Sequence, residues 1–339
     1  MMNKDSKKMK ISSISISGKI TLDMHSLNNE GGEGNQILTR QVTIVDDKGK
    51  IHTVNAISGD MLKHVQTEHL YNIAVEKGLP LCNACTTFNS NRISGDRVFS
   101  EESKGKDQQT VMDLLLEKCV IDDMQGILVT NNNSNLPRKS CSEYGWLIGL
   151  PDKTTTENYF HVKLVPNAGS KSEGEDESSN QGQNIFHRPA NSGEYALVCN
   201  LDIYRIGYNE ITRTYSIDDN DRLERYKALL ESTLYTFLKT KGAMRNTQNP
   251  HVVNFEGVLA ISKNATPAPL ISAINPDYKE EIERIADALN SLDIKEEPEN
   301  NEKNIVLRRF NSLSEFADAM KDLINEGEPY KVKESRQEG

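Results

Sequence analysis

The sequence predicts an α+β fold around an antiparallel sheet. Three observations lead there. Apolar residues alternate with period two in several runs, as half-buried strands require. Two long segments instead carry helical apolar stripes with capping residues at their ends. The elements follow the order strand, long insert, helix, several strands, helix, strand, which suits the split βαβ plan with long insertions.

The first strand is read over residues 11–22, after a basic tail at 1–10. Ile14, Ile16, Ile20 and Leu22 share one face, and Ser15, Ser17, Lys19 and Thr21 the other. The glycine- and amide-rich stretch HSLNNEGGEGNQILTRQ follows, from His25 to Gln41. It is too long for a plain hairpin turn and reads as a loop. Residues 41–45 and 51–54 then flank Asp47-Lys48-Gly49 as a hairpin. Ser58 caps a helix with Asp60 in its first turn and Met61, Leu62, Val65, Leu70 and Ile73 on its apolar face. Gly78-Leu79-Pro80 ends it. Lys63 falls at the edge of that face and His64 on the polar side. Residues 81–107 read as irregular, 110–118 as a helix, 126–130 as a short strand and 131–142 as a polar loop. The sole tryptophan, Trp146, reads as core beside Leu147, Ile148 and Leu150.

A strand is read over 160–165. Residues 166–184 are low-complexity and lack the apolar content to hold a fixed shape. Alternation resumes with Tyr195, Leu197, Cys199, Leu201 and Ile203. Asp219 or Asn220 then caps a helix striped by Leu223, Tyr226, Leu230, Leu234 and Phe237, with Gly242 past its end. A strand at 252–261, an acidic helix, a spacer at 295–304, a strand at 305–309 and a helix to Ile324 complete the chain. The organisation expected is a core over 11–275 with insertions at about 81–107 and 152–193. The acidic helix, spacer and final strand and helix (276–339) pack on it.

Composition narrows the function. No run approaches the roughly 18 apolar residues of a membrane span, and the N-terminus lacks a signal peptide's apolar stretch. A cytoplasmic protein without membrane partners is expected. The five cysteines read as free thiols. The net charge is −10. Glu173, Glu175, Asp176 and Glu177 contribute −4, and residues 277–302 contribute −7, so the remainder carries about +1. A basic stripe for a polyanion is therefore compatible with an acidic total.

Five motifs carry possible chemistry. In the opening stretch, Asn28, Asn29, Asn35 and Arg40, with His25 at its head, offer donors for phosphate, sugar and base edges. The plain alternative is a loop that satisfies its own turns. Ser58 to His64 places Lys63 and His64 one turn into a helix, where a phosphate can sit; the alternative is a solvated lysine. Lys241 to Pro250 carries Gly242, Arg245 and Asn246 in what is either a ligand loop or a connector. Phe186 to Tyr195 brings His187 and Arg188 to the base of an excursion that either grips a polymer or is a surface insertion. Cys82-x-x-Cys85 is half of a zinc site whose second half is missing, with His64 and His69 not expected to converge on it. No metal or cofactor is expected. No triad, P-loop or Rossmann fingerprint is present, and Asp23 and Asp60 are the carboxylates best placed for any metal-dependent chemistry.

The blocks HSLNNEGGEGNQILTR, VNAISGDMLKHVQTEHL and RPANSGEYAL resemble the DevR/Cst-type backbone subunit of the type I CRISPR Cascade, the seventh Cas family. The similar blocks are scattered from His25 to about Ile261. The resemblance implies a modified RNA-recognition-motif (ferredoxin-like) palm with inserted finger and thumb elements. It implies copies of the chain polymerised along one CRISPR RNA, beside other Cascade subunits, presenting the guide to target DNA without catalysis. The RNA groove would take the opening segment with Arg40 and Lys63 on phosphate, and the Gly242–Asn246 loop on the same face. Residues 81–98, with Asn89 and Arg92, would be finger, and the 166–184 run closed by His187 and Arg188 would belong to the thumb. A metal-dependent ribonuclease of the same superfamily, using Asp23 or Asp60, is the alternative.

Overall fold

The computed structural model describes residues 8–130, 135–164, 183–241, 245–292 and 303–333. Its main strands are β1 (Ser13–His25), β2 (Asn29–Glu33), β3 (Gln36–Thr39), β4 (Gln41–Val45), β5 (Ile51–Ile57), β6 (Leu147–Leu164), β7 (Gln183–Leu201), β8 (His251–Ser262) and β9 (Ile305–Phe310). The helices are α1 (Gly59–Lys77), α2 (Asn83–Thr86), α3 (Arg97–Glu102), α4 (Gln108–Lys118), α5 (Val120–Gln125), α6 (Asp219–Leu238), α7 (Tyr278–Ser291) and α8 (Leu313–Glu326). The sheet runs β9-β8-β1-β7-β6-β5-β4, each neighbour antiparallel to the next. It is a mixed α/β fold with an antiparallel sheet. Among the described residues no helix is long and apolar enough to cross a membrane.

Period-two alternation decides which face of the sheet is covered. Ile14, Ile16, Ile20 and Leu22 of β1 lie in the main core with Tyr195, Leu197, Cys199 and Leu201 of β7 and Phe255, Leu259 and Ile261 of β8. That core continues through Leu62 and Leu70 of α1, Tyr226, Leu230 and Phe237 of α6, and Phe316 and Met320 of α8. On the other face, Ser15 donates to the carbonyl of Ala268 and Ser17 accepts from the amide of Ile271. There a smaller cluster gathers Ala196, Val258 and Ala260 under Tyr278 and Ile282 of α7. The serines expected opposite Ile14 and Ile16 thus anchor a covering segment.

The capping signals act as read for α1. Ser58 Oγ accepts from the Met61 amide, and Gly78 closes the helix at φ +66°. For α6 the cap is Asp218, one residue before the expected position, accepting from the Asp221 amide. Residues 242–244 lie outside the described residues, so Gly242 has no structural account.

Three expectations need correction. The glycine-rich stretch is a hairpin, not an open loop: β2 pairs with β3, and Gly34 turns at φ +59°. Trp146 is 38% exposed rather than core, because Arg40 lies over its ring at 5.0 Å and replaces apolar cover with a cation–π contact. Residues 81–107 hold α2, a 3-10 turn (Arg92–Gly95) and α3, and they bury Cys82, Cys85, Ile93 and Phe99 in the main core.

β6 and β7 run on past the sheet as a two-stranded arm. Residues 154–164 pair with 183–193 beyond register shifts at Gly149/Thr154 and Asn191/Gly193. The low-complexity run at 165–182 lies outside the described residues; Asn184 already belongs to the arm, paired with Lys163.

Candidate functional site

The site residues named from the sequence fall into three groups. The first is a cavity of about 440 Å3 lined by Asp60, Lys63, His64 and Thr67 of α1 and by Cys85, Phe88, Asn89, Ser90 and Arg92 from the following segment. Lys63, His64, Asn89 and Arg92 therefore converge, although up to 29 positions separate them in sequence. Lys63 sits one turn past the Ser58 cap and lines the wall. Arg92 sits at φ +48°, and its guanidinium donates to the Gly126 carbonyl.

Charge in this cavity is not balanced by local pairs. Among the described residues neither Lys63 nor Arg92 forms an ion pair, whereas Lys241 is held by Glu68 at 2.7 Å. Burial pushes the Lys63 ammonium below the ordinary lysine value, and the Arg92 guanidinium pushes it further, only partly offset by Asp60 and Glu143. A bound anion relieves both penalties. Phe88, at φ +52° and 36% exposed, packs against Tyr71 at 5.0 Å and His64 at 6.2 Å between ring centres. Sequence reasoning missed Phe88; an aromatic between polar neighbours in an irregular segment was the available signal. An exposed ring beside two cations offers a stacking surface for a base and donors for its phosphate.

The second group lies at the root of the arm. The His187 amide donates to the Asn35 carbonyl at 2.9 Å, and the His187 ring meets Phe160 edge-on at 5.7 Å. Arg188 lies over Phe186 at 4.6 Å and donates to Thr247 at 3.2 Å. The Nε atoms of Arg188 and Arg245 are buried without a hydrogen-bond partner. Asn246 is exposed beside Arg245. Tyr159, Phe160 and Val162 project from the arm, 39%, 58% and 45% exposed. Arg40 closes the base of the β2–β3 hairpin through its amide to the Asn28 carbonyl, at 3.0 Å. Its guanidinium is taken by Glu30 and Trp146.

The third group is interior. His25 was expected at the ligand and is fully buried. Its Nε2 meets the Tyr195 hydroxyl at 2.8 Å, and its Nδ1 accepts from the Leu27 amide at 3.4 Å. Tyr195 donates to Asn55 Oδ1 at 2.9 Å, and Asn55 donates to Asn191 at 3.0 Å. Asn191 in turn donates to Asn28 Oδ1 at 2.8 Å. His25 and Asn28 thus belong to a polar network under the hairpin rather than to its surface. His25 ends β1, where it pairs with Asn191 of β7, and the chain from His25 to Asn28 lies under the hairpin with both side chains buried. Asn29 is half-buried, with its Oδ1 unpartnered. Asn35 is exposed at the turn.

Asp23 and Asp60, the carboxylates named for metal chemistry, belong to no cluster of three metal-ligating groups among the described residues. A cluster does form elsewhere. Cys82 and Cys85 meet Cys119 and Asp122 in the interior, with one ligand atom from each lying within 4.8 Å of the others. Cys119 and Asp122, a C-x-x-D pair, were not singled out in the sequence reading.

Known proteins match most of the chain. The family model described as CRISPR-associated negative auto-regulator DevR/Csa2 matches residues 16–283. The CRISPR-associated protein Cas7/Csa2 1 of Saccharolobus solfataricus is 24% identical over 291 residues, 82% of this chain and 86% of that protein. The CRISPR-associated protein Cas7/Cst2/DevR of Methanocaldococcus jannaschii is 24% identical over 292 residues, 82% of this chain and 89% of that one. A chain of a solved CRISPR RNA-guided surveillance complex aligns over 95% of both chains, at 11% identity and a TM-score of 0.47.

Proposed function

The chain belongs to the CRISPR-associated DevR/Csa2 family, and on that premise we propose that it is an RNA-binding backbone subunit of a type I Cascade. Copies of the chain line up head to tail along one guide RNA and hold its backbone, leaving the bases to pair with target DNA. The observation that carries this reading is the cavity in which Lys63 and Arg92, neither in an ion pair among the described residues, stand beside the exposed Phe88 ring. Strand order supports it. β8-β1-β7-β6, with α1 after β1 and α6 between β7 and β8, is the order of an RNA-recognition-motif palm. The arm of β6 and β7, with exposed Tyr159 and Phe160, then serves as the thumb that crosses the guide. Recognition by charge and stacking is sequence-tolerant, as a guide of arbitrary sequence demands.

Binding of labelled single-stranded RNA, measured against salt, tests this. Lys63→Ala weakens binding alike for unrelated sequences and flattens the log–log salt slope by about 0.7, the share of one single-strand phosphate. An unchanged slope in both Lys63→Ala and Arg92→Ala sinks the assignment. Asp60 shares the cavity wall, so the same assay carries magnesium. Intact RNA is the outcome expected. Cleavage abolished by Asp60→Ala with binding retained replaces the scaffold by a ribonuclease.

A further inference from the structure

We propose that Cys82, Cys85, Cys119 and Asp122 form a closed, structural zinc site, a role independent of the RNA-binding reading. The four side chains are buried and come from two short segments. Each segment supplies ligands three positions apart, Cys82 with Cys85 and Cys119 with Asp122, so each pair shares one side of a helical turn. The Val120 amide donates to the Pro80 carbonyl at 2.9 Å and holds the segments side by side.

Two of the separations fit the metal directly. Tetrahedral zinc, with bonds of about 2.3 Å to sulfur and about 2.0 Å to oxygen, sets sulfur and oxygen ligands about 3.5 Å apart. Asp122 Oδ2 lies 3.5 Å from Cys85 Sγ and 3.7 Å from Cys82 Sγ. The Cys85 amide donates to Cys82 Sγ at 3.3 Å, a contact that favours the thiolate.

Charge points the same way. Asp122 is fully buried, and its Oδ1 has no hydrogen-bond partner. The buried guanidiniums of Arg138 and Arg225 bind the adjacent Asp123 instead. The nearby Arg92 donates to the Gly126 carbonyl through one terminal nitrogen. Asp122 takes its hydrogen bonds from thiols, with the Arg92 charge nearby, and a divalent cation at the centre would give this buried carboxylate a direct counter-ion. Three sulfur ligands select zinc over magnesium or calcium, and four protein ligands leave no open position for catalysis. On binding, the coordinating thiols lose their protons to solvent and become thiolates; no oxidant or reductant takes part. The metal then fastens the segment bearing Phe88, Asn89 and Arg92 to α5.

The test uses the purified full-length chain without RNA. Mass-spectrometric metal analysis of protein from zinc-supplemented cells should find one zinc per chain. Chelator-stripped protein titrated with cobalt(II) should develop the ligand-field and thiolate charge-transfer bands of a tetrahedral sulfur site. Cys119→Ser should lose both signals, whereas Cys199→Ser, a buried cysteine outside the cluster, should keep them. Because Cys119→Ser can fail to fold, the wild-type result decides. Background zinc with no cobalt band, a Cys82–Cys85 disulfide, or iron with acid-labile sulfide overturns the assignment.

Discussion

Acidification should destabilise this fold through His25 in particular. The imidazole is fully buried, and both ring nitrogens are committed to a neutral form. Nε2 donates to Tyr195, whose own proton goes to Asn55, and Nδ1 accepts from Leu27. A second proton has no place without breaking the Leu27 contact. Burial accordingly lowers the His25 pKa from 6.5 to about 3. Unfolded, the same ring titrates near 6.5. Between those values the unfolded chain binds a proton that the folded chain refuses, so stability falls as pH drops. At pH 5, about one and a half units below the unfolded value, the loss is about 2 kcal/mol at 1.36 kcal/mol per unit. Urea unfolding at pH 7 and pH 5, in wild type and in His25→Gln, isolates it. The glutamine amide still reaches Tyr195 but does not titrate. Wild type should lose about 2 kcal/mol more than the variant over that interval. Equal losses in the two proteins would refute the placement of His25. RNA affinity at pH 7 should differ little between them, since His25 never reaches the surface.

Asp123 accepts from Arg138 and Arg225 at 2.7 Å each in the interior. Asp123→Ala removes a carboxylate from two buried guanidiniums, of which Arg138 keeps Glu210 at 2.9 Å, and should cost about 3–5 kcal/mol in urea unfolding; a loss below about 1 kcal/mol contradicts the network. Gly126 adopts φ +67°, and an added Cβ would lie 2.6 Å from the Arg138 carbonyl oxygen. Gly126→Ala should therefore lower stability by about 1–3 kcal/mol, read from the thermal midpoint, and an unchanged midpoint speaks against that backbone. Trp146 is the sole tryptophan, and Arg40 covers its ring. If RNA draws Arg40 away, intrinsic fluorescence changes on binding in wild type and stays flat in Arg40→Ala; a flat wild-type trace excludes Arg40 from the contact.

Regular elements were legible where burial on one side imposes a period. Ile14 to Leu22 and Tyr195 to Leu201 fall on the expected face because that face meets α1 and α6. Charge was the least legible feature. Arg138, Arg222 and Arg225, which the sequence reading did not single out, lie buried, and each donates to carbonyls or carboxylates outside its own element. Partners at such separations leave no local pattern. His25 and Asn28 were misplaced for the same reason: polar residues in a glycine-rich stretch suggest solvent, but the stretch folds back over them. The convergence of Lys63, His64, Asn89 and Arg92 was named residue by residue, without their shared cavity being foreseeable. Phe88 and the Cys119–Asp122 half-site needed the fold to bring them into view.

Where the arm leaves the core, residues 150–153 bulge opposite Glu194 alone, with Asp152 at φ +59°. The arm's two strands are the same ones that form the middle of the sheet, and its paired length beyond the bulge, residues 154–164, is about 35 Å. At that point Gly149 and Gly193 leave no room for a side chain: an added Cβ at Gly193 would lie 2.2 Å from the Lys153 carbonyl oxygen. A side chain introduced at Gly193 should therefore disturb the root of the arm and, two residues away, Asn191, which carries hydrogen bonds to His25 and Asn28.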